Sequence, residues 1–108
     1  MKIYNTQEQI DADIINGVLT IDGSVQFKYD VKISGAIKVK WDIDALNIDA
    51  LNISATDIDA KNINANNIIF YAVAFARESF RCRSIKGKRP NSKYFCLDSD
   101  VVITGDEK

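Results

Sequence analysis

Between Ile43 and Ile69 the sequence repeats every five residues. Ile stands at 43, 48, 53, 58, 63 and 68, Ala at 45, 50, 55, 60 and 65, and Asn or Asp at 47, 52, 57, 62 and 67. A helix turns about 100° per residue, so a five-residue spacing would carry the Ile side chains around its whole surface. A plain strand alternates with period two. What accommodates five is a coil in which three residues run extended and two turn a corner, the unit of a β-solenoid. Within Ile-Asp-Ala, strand alternation sends Ile and Ala inward and Asp to water. The pairs that follow, Leu46-Asn47, Leu51-Asn52, Thr56-Asp57, Lys61-Asn62 and Asn66-Asn67, turn the corners. Asn and Asp tolerate left-handed backbone and bond to it locally.

No single unit buries its own Ile, so the units must stack. If four close a square coil, Ile48 stacks under Ile68 and Asn47 under Asn67, at the strand spacing of about 4.8 Å. The stretch resembles the pentapeptide-repeat family of square β-helices, over about a quarter of the chain. It departs from that family in one respect. The family's small residue two positions before the large apolar one is here Leu46, Leu51, Thr56, Lys61 or Asn66, and the small Ala instead follows the Ile by two. Coil shape and handedness therefore stay open. The whole chain is similar to small proteins of phages and prophages of Gram-positive bacteria, which implies a phage-encoded protein acting in a bacterial host.

The flanks extend the pattern. From Val18 to Trp41 the period is six, with inward pairs Leu19/Ile21, Val25/Phe27, Val31/Ile33 and Ile37/Val39 and breaks at Asp22-Gly23 and Ser34-Gly35. Six is the period of triangular β-helices and of the polymer-forming cytoskeletal family of bacteria, which looks similar. An antiparallel meander with Asp-Gly turns is the alternative. The continued solenoid is preferred because the inward residues phase into Ile43 without a gap. Trp41, at the joint of the two periods, reads as a packing wedge. In residues 1–17, Thr6 with Gln9 has the form of a capping box and Gly17 could end a short helix lidding the first coil. The alternation Ile10-Asp-Ala12-Asp-Ile14 reads equally as strand.

After Ile68, Tyr71, Val73 and Phe75 are expected to enlarge the interior, with Ala72, Ala74 and Ala76 on the other face. Phe80 and Ile85 continue the five-residue spacing. Six of the ten aromatic residues fall between Phe70 and Phe95, as expected of a plug at the C-terminal end. Cys82 and Cys96 match no metal-ligand spacing and read as buried free thiols, with a disulfide as the alternative, since they could face each other in a hairpin closing near Arg89. The fold class is thus all-β: one solenoid domain with an N-terminal cap over 1–17, repeat coils over 18–69, and a C-terminal coil with a hairpin-like cap over 70–108.

Charge is unevenly spread although the net charge is −1. Phe70 to Lys93 carries seven basic residues and one acid, while Asp42 to Ile69 carries five Asp and one Lys. Arg81, Arg83, Lys86, Lys88, Arg89 and Lys93 form a candidate anion-binding segment, crowding around Gly87 and Pro90 where the ladder would stop. The acidic tail Asp98, Asp100, Asp106 and Glu107 could neutralise it. Asp44, Asp49 and Asp59 are expected to line one outer surface, the candidate protein-contact face.

The sequence contains no His, no serine-base-acid order and no phosphate-binding glycine loop. No catalytic, cofactor-binding or metal-ligating residue is assigned, and the reading is not an enzyme. The longest apolar run, Ile68 to Ala76, is too short to span a membrane. Met1-Lys2-Ile3-Tyr4 leads into polar residues with no apolar core of a signal peptide, so cytoplasmic residence in the host is expected. The leading functional reading is a binding or inhibitor protein that engages a host factor, of anti-defence or DNA-mimic type, and a homodimer is expected. Self-assembly into a structural β-helix, and a nucleic-acid or nucleotide binder acting through residues 81–93, are the alternatives.

Overall fold

A computed structural model describes residues 2–104. Asp106 and Glu107 of the acidic tail lie outside them. In chain order the elements are β1 (Lys2–Tyr4), α1 (Gln7–Asp13), β2 (Val18–Ile21), β3 (Val25–Phe27), β4 (Val31–Val39), β5 (Asp42–Asp44), β6 (Asn47–Cys82), β7 (Ser84–Gly87), β8 (Lys93–Cys96) and β9 (Val101–Ile103). Every strand–strand pairing is parallel. The chain is a β-solenoid of about five turns, and the meander is excluded because its neighbours would run antiparallel. β6, at 36 residues, turns corner after corner without losing its ladder.

The coil has three faces. Face A carries β1, β3, β5, residues 57–59 and 73–76 of β6, and β8. Face B carries residues 31–33 of β4, residues 48–50 and 80–82 of β6, and β9. Face C carries β2, the second half of β4, residues 52–54 and 67–70 of β6, and β7. Val25 faces Ile43, 18 residues on, and Ile43 faces Ile58, 15 residues on. The five-residue units therefore close in threes, not fours. Asn47 meets Asn62 rather than Asn67, and the expected square section is replaced by a triangular one.

The residues inside explain the change of girth. In the 18-residue coil each face holds two large side chains, such as Leu19/Ile21 or Val25/Phe27, all buried. In the 15-residue coil each holds one Ile and one Ala, also buried. A shorter perimeter leaves room for less volume, and close packing tolerates neither void nor excess. Towards the C-terminus the coil widens again: Ile68 faces Ile85, and Phe75 faces Phe95, 17 and 20 residues on. Phe70 and Phe80 are buried there, and the Tyr94 ring lies 6.3 Å and 6.4 Å from theirs. Three of the six rings expected in the plug thus fill it, whereas Tyr71 is exposed and Phe75 and Phe95, 4.8 Å apart, alternate to the outer side from Ala74 and Ala76.

Four expectations change. Tyr71 and Val73 are exposed while Ala74 and Ala76 are buried. One extra residue at the corner after Phe70 reverses the alternation, since a one-residue slip moves every side chain to the other face. Trp41 is 52 % exposed and contributes backbone rather than ring, its carbonyl accepting from the Thr56 N–H at 2.8 Å. The C-terminal segment continues as parallel strands instead of turning back as a hairpin, so Cys82 on face B and Cys96 on face A do not face each other and both thiols are free. The ladder also runs through the basic segment: β7 pairs with β6, and beyond it the Lys88 N–H donates to the Phe70 carbonyl at 2.9 Å.

At the N-terminus the helical reading holds. Thr6 caps α1, its Oγ accepting from the Gln9 N–H at 3.2 Å, and Gln9 reaches back to the Asn5 N–H at 2.7 Å. The helix ends at Ile14, ahead of Gly17. Asn16 and Gly17, with φ of 53° and 79°, form a two-residue turn whose flanking Ile15 and Val18 exchange both backbone hydrogen bonds. That is the geometry Asn-Gly favours. Ile10 anchors the helix in the core. Gln7 acts as a surrogate strand: its amide accepts from the Lys32 N–H and donates to the Lys32 carbonyl, both at 3.0 Å. It thereby closes the free edge of face B.

Candidate interaction surface

The corners organise the surface. At the corner leading into face B, Asn47 donates to Asp30 at 2.7 Å, Asn62 donates to Asn47 at 2.6 Å, and Ser79 donates to Asn62 at 2.7 Å. At the corner leading into face C, Asn67 donates to Asn52 at 2.9 Å and Ser84 to Asn67 at 2.6 Å. A side-chain amide both donates and accepts, so one Asn per coil can bond the coil above and the coil below.

At the third corner, leading into face A, the ladder position holds carboxylates. Asp42 pairs in register with Asp57, and Asp44 with Asp59. Two ionised carboxylates cannot bond as two amides do, because both only accept. Partial burial pushes the Asp42 carboxyl above its ordinary value, and the Asp57 charge and hydrogen bond push it further. Asp57 also accepts the Val73 N–H at 3.0 Å. Asp59 pairs with Arg77 at 2.9 Å. Face A thus carries four carboxylates on two adjacent rungs, and Asp42 and Asp44 have no cation partner among the described residues.

Of the three aspartates expected on one surface, Asp44 and Asp59 meet as neighbours, but Asp49 lies on face B opposite Lys32. A coil of three units puts every third aspartate, not every one, on a given face. The sequence reading missed Asp42 and Asp57. Their signal was present: Asp57 occupies the Asn position of its unit, and 15 residues earlier stands Asp42.

The six candidate cations are all exposed, and the structure does not gather them on one face. Arg81 is on face B, Arg83 at the next corner, Lys86 on face C, Lys88 and Arg89 at the corner after it, and Lys93 on face A. They girdle the last coil. None forms an ion pair within the described residues; Asp98 and Asp100 are exposed and unpaired in the same sense.

Two other features lie at the ends. At the N-terminal end an open cavity of about 460 Å³ is lined by Lys2, Tyr4, Asp13, Ile15, Ile21 and neighbouring residues. The Tyr4 hydroxyl donates to Asp13 at 2.7 Å, and Lys2 pairs with Asp13 at 3.4 Å. Burial, then the Asp13 bond and charge, hold the Tyr4 hydroxyl well above its usual range. The Asp13 carboxyl is lowered, chiefly by the Tyr4 bond and further by Lys2. These polar groups satisfy one another. Burial pushes the Cys82 thiol up, away from the reactive thiolate.

Among the described residues no group of His, Cys, Asp and Glu is placed to hold a metal ion, and no helix is long and apolar enough to cross a membrane. Comparison with protein-family models, with curated proteins and with solved structures returned no match for this chain.

Proposed function

We propose that the protein is a non-enzymatic binding module that presents the acidic column of face A to a basic surface of a protein partner. The observation that carries this reading is the in-register pairing of Asp42 with Asp57 and of Asp44 with Asp59. Strand pairing holds like charges one rung apart, and among the described residues Arg77 beside Asp59 is the one cation paired with them, so the face keeps an excess of negative charge. A basic partner relieves that repulsion, which gives the face both attraction and selectivity. The support is rigid, because the ladder and the two amide columns fix the spacing. The phage-like character of the sequence makes a host factor the natural partner, with inhibition as the outcome.

Wild type and the double variant Asp42→Asn/Asp44→Asn, immobilised in parallel, would be exposed to a bacterial host extract. A specific protein retained by wild type, lost from the variant and released by salt is the expected result. Equal retention by both proteins would remove face A as the binding surface.

A further inference from the structure

We propose that copies of this chain stack head to tail, the basic C-terminal coil of one seating on the acidic N-terminal coil of the next. A parallel solenoid has complementary ends, because each coil presents to the following one the edge that the preceding coil presented to it. Here both ends keep such edges among the described residues. β7, β8 and β9 pair only with β6 and β1 only with β3, while β2 pairs with β4 and is bonded at its first residue, Val18, to Ile15. Unpaired edges are templates for another chain. The lengths match best on face A, where β8 and β1 have four and three residues; on face C the four residues of β7 would meet a β2 whose Val18 is already bonded to Ile15. On face B the edge is closed by Gln7, and β9 would meet α1.

Charge selects the occupant. Residues 2–24 hold Glu8, Asp11, Asp13 and Asp22 against Lys2, a balance of −3, of which Asp22 is paired with Lys40 at 3.7 Å. Residues 81–103 hold the six cations against Asp98 and Asp100, a balance of +4. A two-fold contact between two C-terminal ends would set cations against cations, whereas head-to-tail contact sets them against carboxylates. The apolar surface agrees. Tyr94 and Ile103 are 42 % and 45 % exposed at the floor of the last coil, and Ile15 at 72 % stands at the wall of the N-terminal cavity. Because the end-on rotation need not close, the product is an open stack rather than a ring.

The test uses the 108-residue chain and two charge-reversed variants at exposed positions, Lys86→Glu/Arg89→Glu and Glu8→Lys/Asp22→Lys, each checked for a native thermal melt. In sedimentation at high micromolar concentration wild type should grow past the dimer, and it should fall back at about 1 M salt, where screening acts within about 3 Å. Each variant alone should be monomeric. Their equimolar mixture should form a dimer and stop, since one intact end remains on each. A monomeric wild type at that concentration would overturn the proposal. So would a dimer that the C-terminal variant abolishes and the N-terminal variant leaves intact, which would mean a two-fold contact. If either double variant melts abnormally, Arg89→Glu and Glu8→Lys carry the same comparison.

Discussion

Asn62 donates its side-chain amide to Asn47 at 2.6 Å, 15 residues back and one coil away. Since Asn62 also accepts from Ser79 at 2.7 Å, its truncation breaks two bonds at once. Asn62→Ala is expected to cost about 1–2 kcal/mol, at roughly 0.5–1.5 kcal/mol for each hydrogen bond. Asn64→Ala, at the exposed position between Ile63 and Ala65, should stay within about 0.5 kcal/mol. Denaturant unfolding of the two variants compares them directly, and equal losses would refute the ladder's contribution.

The corner of face A carries carboxylates where the others carry amides, and this predicts a gain of stability. Asn at position 42 could donate to Asp57 as Asn62 does to Asn47. Asp42→Asn should therefore stabilise the fold by about 1 kcal/mol at neutral pH, a rise of several degrees in Tm. Folding raises the proton affinity of Asp42, so its carboxyl favours the folded state in acid, and that contribution is lost as pH rises through the raised value. The gain from Asp42→Asn should accordingly shrink on acidification. Asp13, whose carboxyl is lowered, acts oppositely, its contribution being lost as pH falls. Thermal melts from neutral pH into the carboxylate range would show the trend; a gain that does not vary with pH would contradict the assignment.

Ile58 is buried at 1 % exposure in the middle of the ladder, while Asp49 is exposed on face B. Ile58→Asp buries a charge without a partner and should abolish cooperative folding. Asp49→Ala should shift stability by less than about 0.5 kcal/mol. Comparable melting of the two variants would invalidate the division into inside and outside.

Gly35 lies at the irregularity in β4 between Ile33 and Ala36, and a methyl group there would run into the Gly17 carbonyl. That carbonyl accepts the Ala36 N–H at 2.9 Å, so it cannot yield without loss of a ladder bond. Gly35→Ala should cost about 2–3 kcal/mol as an overpacking change, against little change for Ser34→Ala at the exposed neighbour. An unchanged urea midpoint for Gly35→Ala would show that the approach of the two chains is looser than the structure has it.

That the chain coils, and which side chains of each repeat turn inward, is legible in the repeats alone. Both follow from strand alternation between polar corners: Ile43 to Ile68 and Ala45 to Ala65, and the four large pairs from Leu19/Ile21 to Ile37/Val39, are all buried as their spacing demands. How many units close a coil emerges only from the packed molecule. That number depends on the angle turned at each corner and on what fills the interior, and neither is written in the repeat length. With three units to a coil, Asp44 meets Asp59 while Asp49 turns to another face. The same non-local closure brought Asp42 under Asp57 and dispersed the six cations around the last coil. It also let one extra corner residue after Phe70 exchange Val73 for Ala74 in the core. Alternation is a property of neighbours along the chain; register between coils belongs to residues 15 to 21 positions apart, and only their packing sets it.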